Sequence, residues 1–302
     1  MKISDNVSGE IRAAVGSENI REDEPMAMHL TMQAGGNAKY YITPPDTASL
    51  CSLMRIIDRE GYPYYVLGNG SNVIIRDEGY DGIIIAMEKG FGGIEIHENH
   101  IIAGAGAMLK DVSYAALSAD LSGLEFACGI PGSAGGGAGM NAGAYGGEMK
   151  DVIKEVKAVD PKGMVKAYSN WEMRFGYRHS ICSDLPVIIT EVIFELSRGS
   201  HADIKAKMDD LSARRIEKQP LEYPSCGSTF KRPEGYFAGK LIMDSGLKGY
   251  TIGGAQVSEK HCGFVINKGG ATASDVLALI DYIKQTVYEK QGVKLECEVK
   301  IL

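Results

Sequence analysis

The sequence predicts an α+β fold of two or three domains, and three observations carry the prediction. At 302 residues the chain exceeds the roughly 250–300 residues at which a single hydrophobic core stops growing. Segments with the two-residue period of strands are interspersed with segments of helical period. Composition then changes at residues 197–201, where a polar break precedes a charged segment ending Ala213-Arg214-Arg215-Ile216-Glu217-Lys218-Gln219-Pro220, which sets a boundary near residue 200.

Taken in order, residues 1–25 are polar and predict an irregular or helical lead-in. Lys39-Tyr40-Tyr41-Ile42 reads as a short strand running into Pro44-Pro45. A helix follows, with Thr47 as its cap, Leu50, Leu53, Met54 and Ile57 at i, i+3, i+4, i+7, and Gly61 as its stop. Residues 64–67 form a buried strand, so strand, helix and strand make a βαβ unit. Further strands are predicted at 73–75, 83–87 and 101–103, and a helix over 110–121 closed by Gly123. Residues 152–159, the turn Asp160-Pro161-Lys162-Gly163 and residues 164–168 form a hairpin, and 186–196 is another strongly apolar strand. Thr272 and Asp275 fit a capping box, Val276, Ile280, Ile283 and Val287 supply a stripe, and Gly292 ends the last helix. In a final strand Val293, Leu295, Cys297, Val299 and Ile301 face one way and Lys294, Glu296, Glu298 and Lys300 the other. No internal repeat is present.

Residues 130–148 stand apart, because eight of these nineteen are glycine. Such a stretch cannot fill a core and is costly to order. Glycine does admit positive φ and close approach to bare backbone amides, which suits a large phosphate-bearing ligand. A flexible linker is the bland alternative, but Ile130, Pro131, Met140, Asn141 and Tyr145 interrupt the run. Gly68-Asn69-Gly70-Ser71-Asn72, at a strand end, reads equally as a turn or as a compact loop for a pyrophosphate. Neither it nor residues 104–106 is a Rossmann fingerprint, since Val73 and Leu109 occupy the third glycine position.

Composition excludes other classes. An apolar fraction of 44% and a charged fraction of 24% are those of an ordinary globular protein, and a net charge of −7 offers no broad surface for nucleic acid. No apolar run approaches the ~18 residues of a membrane span, and the N-terminus lacks the apolar core of a signal peptide, so a cytoplasmic location is expected. The six cysteines are scattered singly, which predicts free thiols, and the dispersed histidines predict no metal site.

The order of residues 68–72, 130–148, 177–180 and 218–231 with the terminal Glu298-Val299 resembles that of the UDP-N-acetylenolpyruvoylglucosamine reductases, the MurB family, over most of the chain. The resemblance implies a two-subdomain FAD-binding fold of the vanillyl-alcohol-oxidase (PCMH-like) type, at residues 1–80 and 81–200, with a third α/β substrate-binding domain at 201–302. It implies a cytoplasmic flavoenzyme of peptidoglycan precursor synthesis with non-covalent FAD, NADPH and a UDP-sugar substrate, and no nucleic-acid, membrane or obligate protein partner. The passage from Tyr177-Arg178 to the third domain without a long tyrosine-bearing insertion resembles the shorter of the family's two classes.

By the same resemblance Arg178, Ser228 and Glu298 are catalytic. Hydride reaches C3 of the enolpyruvyl group from NADPH by way of the flavin, Arg178 stabilises the charge shared between C2 and the carboxylate, and Ser228 delivers a proton to C2. A serine hydroxyl is a poor acid, so position and water exclusion supply much of the effect. Without the resemblance Ser228 is a turn residue, Arg178 a solvated loop residue and Glu298 a solvent-facing glutamate; Glu296 shares its face, and periodicity does not choose between them. Beside a substrate carboxylate, Glu298 needs to be protonated or paired. Lys218 and Lys231 match phosphate-binding lysines, and Tyr177 lines the same site. For the flavin, Gly68, Asn69, Gly70, Ser71 and Asn72 hold the pyrophosphate, and Gly132, Ser133, Asn141, Ala142, Gly143 and Tyr145 form the facing wall. The chain departs from the family at Cys297, where proline is common, at Arg232, where some members have asparagine, and at Gly137-Ala138-Gly139, which replaces a bulkier pattern.

Two rival readings remain at this level. An FAD-dependent oxidase or dehydrogenase of an alcohol or sugar would be reoxidised by oxygen, and a nucleotide-binding module without catalysis would be colourless. A serine hydrolase is disfavoured, because neither Ser133 nor Ser228 sits in a Gly-x-Ser-x-Gly elbow.

Overall fold

The computed structural model describes residues 3–302, and its contacts divide the chain into two compact units. One comprises Met1–Glu22, Tyr40–Asn69 and Asp81–Arg214, the other Asp23–Lys39, Gly70–Tyr80 and Arg215–Leu302. The division differs from the three expected segments because residues distant in sequence share one core: Met32, Ala34 and Ile74 are buried with Ile242, Ile280 and Leu295.

In the first unit, the lead-in is the helix Asp5–Val15, which buries Val7, Ile11 and Val15 at four-residue spacing. The helix Thr47–Glu60 is capped by Asp46, whose carboxylate accepts from Ser49 N at 2.7 Å, rather than by Thr47; Gly61 ends it in the left-handed region at φ 67°. The strands Asn37–Ile42 and Tyr64–Leu67 belong to one sheet but are not neighbours, because Tyr80–Ala86 inserts between them, parallel to Tyr64–Leu67. Ile83, Ile84, Ile85 and Ala86 are completely buried, as expected where both sheet faces are covered.

A second, five-stranded sheet runs in the order Val165–Ser169, Ile153–Val159, Ile188–Glu195, His100–Gly104, Ile94–His97, antiparallel at every pairing. Its edge strand Ile94–His97 is largely exposed and only four residues long. The expected helix over 110–121 is shorter, Leu109–Ser118. Asp120 adopts φ 55° and breaks it, and Leu121–Ser122 becomes a strand paired with Ser197–Arg198. The charged segment is a helix, His201–Lys218. Lys207 donates at 3.2 Å to Glu125, which is buried and also accepts from Ser122 Oγ at 2.6 Å. Burial opposes ionisation of Glu125, but Ser122 and Lys207 outweigh it and hold the carboxyl below its ordinary range.

The second unit is built on the helix Ala273–Gln291, with the capping box of Thr272 and Asp275 formed and Gly292 left-handed at its end. A three-stranded sheet, Thr251–Ile252, Ala255–Val257, Val265–Asn267, lies in the same unit. Residues 293–301 are not one regular strand. Leu295 and Val299 are buried as the alternation requires, but only Lys300–Ile301 forms a strand, parallel to Val73–Ile74. Residues 296–298 meet a different partner instead, the segment at 229–231. All six cysteines are free, and among the described residues no helix is long and apolar enough to cross a membrane.

Candidate active site

The first half of the glycine-rich stretch is held against the strand that ends at Leu67. Ser133 is buried and caps the short helix Ala134–Gly139, accepting from Gly136 N at 3.3 Å. Gly132 accepts from Leu109 N at 2.9 Å, Ala134 N donates to Ala107 O at 2.7 Å, and Gly135 N donates to Ala105 O at 2.8 Å. A Cβ at Gly68 would stand 2.5 Å from Ser133 Oγ, and one at Gly135 2.6 Å from Ala105 Cβ. Asn69 Nδ2 donates to Pro131 O at 2.9 Å. Gly68 and Asn69 therefore meet Pro131, Ser133 and the helical turn that follows.

The remainder of the 68–72 loop lies in the second unit. Gly70, at φ 62°, is buried against the backbone of His29, where any side chain would collide, and its carbonyl accepts from Thr31 N at 3.2 Å. Asn72 Nδ2 donates to Glu298 O at 3.2 Å, while Lys300 N donates to Asn72 O at 3.0 Å. Ser71 is half-buried.

The second half of the glycine-rich stretch is a platform for the turn bearing Arg178. Asn141 is fully buried with φ 47°. Its Nδ2 donates to Gly176 O at 2.8 Å and to Glu148 Oε2 at 3.1 Å, and its Oδ1 accepts from Lys150 N at 2.9 Å. Arg178 Nη2 donates to Gly143 O at 3.4 Å, and its guanidinium carbon lies 5.0 Å from the centre of the Tyr177 ring. Ala142 is buried and accepts from Met149 N at 3.0 Å, while Tyr145 is exposed. Lys150 pairs with Glu148. Its ammonium holds the Glu148 carboxyl below its ordinary range against burial, with Asn141 and Arg178 acting in the same direction.

In the second unit, Glu298 N donates to Thr229 O and Lys231 N to Glu296 O, both at 2.9 Å, with Phe230 bridged to Cys297 between them. This antiparallel register sets Ser228 beside the residue that faces Glu298. Ser228 is exposed and follows Gly227, whose φ of 69° turns the chain there. Thr229 Oγ1 accepts from Val265 N at 3.1 Å and is buried, a brace that nothing in the sequence pattern marks. The two glutamates left open by periodicity separate here: Glu296 is exposed and ion-paired with Lys231 at 3.4 Å, while Glu298 is half-buried. Cys297, in place of the family's proline, sits at the bridge to Phe230. Arg232 stacks on Phe237 at 4.0 Å, and Lys218 is exposed at the end of its helix. Cys226, two residues before Ser228, has its thiol pushed up to about 12 by burial.

The first unit fits a large flat cofactor at the glycine stretch: Gly136 is exposed backbone, and open space surrounds the points where a Cβ would stand on Gly139 and Gly146. Residues 38–169 match an FAD-binding domain family, and the solved structure of wild-type Phl p 4.0202, a glucose dehydrogenase, shares the fold alone at TM-score 0.53 and 14% identity, over 71% of this chain and 50% of that one. The chain is thus an FAD flavoprotein of the α+β class expected. Residues 219–302 match the C-terminal domain of UDP-N-acetylenolpyruvoylglucosamine reductase. The chain is 51% identical over 302 residues to the UDP-N-acetylenolpyruvoylglucosamine reductase of Geobacillus thermodenitrificans (strain NG80-2), covering 100% of this chain and 99% of that protein. It also superposes on the crystal structure of the Thermus caldophilus reductase with TM-score 0.81 and 34% identity, over 93% of this chain and 99% of the other. It belongs to the UDP-N-acetylenolpyruvoylglucosamine reductase family.

Proposed function

We propose that the chain uses NADPH to reduce the enolpyruvyl group of UDP-N-acetylenolpyruvoylglucosamine to UDP-N-acetylmuramate in the cytoplasm, with residues 1–200 holding the flavin and 201–302 covering the sugar nucleotide. The chemistry that FAD supplies when bound is two-electron hydride exchange between NADPH and substrate. Gly68, Asn69, Gly132 and Ser133, with Gly70, Ser71 and Asn72, hold that cofactor, and Ala142, Gly143 and Tyr145 complete its wall. Lys218 and Lys231 meet the diphosphate, and Tyr177 lines the sugar-nucleotide path. Arg178 grips the substrate carboxylate with its planar donors and stabilises the negative charge that C2 shares with it. Ser228 Oγ delivers the proton to C2. Glu298 lies beside the substrate carboxylate and, protonated or paired, avoids the repulsion between two bare carboxylates.

The observation that carries the reading is the register of 229–231 on 296–298, which supports Ser228 and Glu298 acting together. Purified protein given FAD, NADPH and the enolpyruvyl sugar nucleotide is expected to oxidise NADPH; no loss of NADPH absorbance sinks the proposal. In Ser228→Ala the flavin is reduced by NADPH at the wild-type rate, while its reoxidation by substrate slows by about 10²–10⁴-fold.

A further inference from the structure

We infer that Asn141 and Ser180 are positioning residues that fix Arg178, and that the glycine-rich stretch therefore serves two purposes, cofactor wall at its start and anchor for the Arg178 turn at its end. The inference rests on the reductase reading, which gives Arg178 its task.

Residues 176–179 form a closed turn, with Gly176 N donating to His179 O at 3.0 Å and His179 N to Gly176 O at 3.2 Å. Arg178 stands in it at φ 54°, a left-handed conformation that a non-glycine residue keeps only where its surroundings over-determine it. Three contacts to one short segment do so. Asn141 Nδ2 grips Gly176 O at one base of the turn, Ser180 Oγ donates to Gly139 O at 2.6 Å at the other, and Arg178 itself reaches Gly143 O. Asn141 and Ser180 are both completely buried, so loosening either contact strands a polar group away from water. The Asn141 amide is fully engaged with protein: both its hydrogens donate and its oxygen accepts. Its side chain therefore acts on the turn rather than on a cofactor. It also fixes Glu148, whose carboxylate lies in the field of Arg178. An arginine whose turn is fixed at Gly176 and Ser180 and whose guanidinium reaches Gly143 O meets a carboxylate with its backbone already ordered, and a misplacement of about 1 Å in such a group costs on the order of 10²-fold in rate.

Asn141→Asp tests this, since it keeps the size and the acceptor for Lys150 N but sets a carboxylate against Gly176 O and Glu148. FAD affinity, read by titration of flavin fluorescence, and flavin reduction by NADPH are expected to stay at wild-type values. Reoxidation by the sugar nucleotide is expected to slow by about 10²-fold and to recover as pH falls, because the new carboxyl, once protonated, again donates to Gly176 O. Ser180→Ala is expected to slow reoxidation by up to about 10²-fold with no recovery at low pH, and it decides the matter alone if the first variant does not fold. Loss of FAD affinity with both half-reactions slowed equally overturns the inference, as does reoxidation unchanged in Ser180→Ala. Wild-type protein in the same assay separates the two readings: reduced wild type that the sugar nucleotide does not reoxidise brings down the reductase reading itself.

Discussion

Glycine in the 130–148 stretch is required for different reasons at different positions, and the neighbours decide which. Gly135 lies against Ala105, so close that a methyl group would stand 2.6 Å from its Cβ, whereas Gly139 has nothing within 4 Å of the same point. Gly135→Ala is therefore expected to destabilise the protein by about 1–3 kcal/mol through overpacking, and Gly139→Ala to leave stability unchanged or raise it by up to about 1 kcal/mol. Urea midpoints measure the difference, and equal effects would count against the packing described. The sequence marks both residues only as glycine. Asn141 illustrates the same limit: its place in the stretch is legible, but its three partners at 148, 150 and 176 come together only through the fold.

Among the elements, the helix Ala273–Gln291 is capped twice. Thr272 and Asp275 form the box that their three-residue spacing announces. Asp77, 196 and 197 residues away, also accepts from Ala273 N and Ser274 N, each at 2.8 Å, and no local pattern could have found it. Burial opposes ionisation of Asp77, but Ser274 and Ala273 outweigh it and hold its carboxyl below its ordinary range; the Thr272 and Gly254 amides do the same for Asp275. Both folded-state values lie below the unfolded one, so their stabilisation is present above about pH 4 and is lost as pH falls through the depressed values. Asp77→Ala is expected to lower stability by about 0.5–2 kcal/mol at neutral pH, towards the small end because the carboxylate is exposed. Thermal melts from pH 7 to pH 2.5 should show the gap to wild type closing on the acid side; a constant gap would mean that the capping charge is not what stabilises. The expected cap at Thr47 fails for a related reason, since Asp46 beside it has the acceptor in reach and is the stronger cap.

For the whole molecule, the second unit draws its core from three separate segments. Arg76 N donates to Leu302 O, Lys300 N to Asn72 O and Leu302 N to Ile74 O, so residues 72–76 and the C-terminus complete one another. A fragment of residues 215–302 lacks Met32, Ala34 and Ile74 from its core and is expected to show no cooperative urea transition by circular dichroism; a sharp transition would refute that dependence. Sequence by itself determined what is carried by near neighbours: the helices with clean periods and glycine stops, the hairpin at 152–168, the glycine-rich stretch as a place where backbone is approached closely, and the family, whose motifs are contiguous. Only the tertiary structure decided which residues share a core, why residues 293–301 divide between two partners, how Glu298 separates from Glu296, and what Asn72 and Asn141 bond. The physical reason is range. Periodicity and capping act over a few residues, whereas burial and the partners of a buried amide are set by segments that fold together from far apart in the chain.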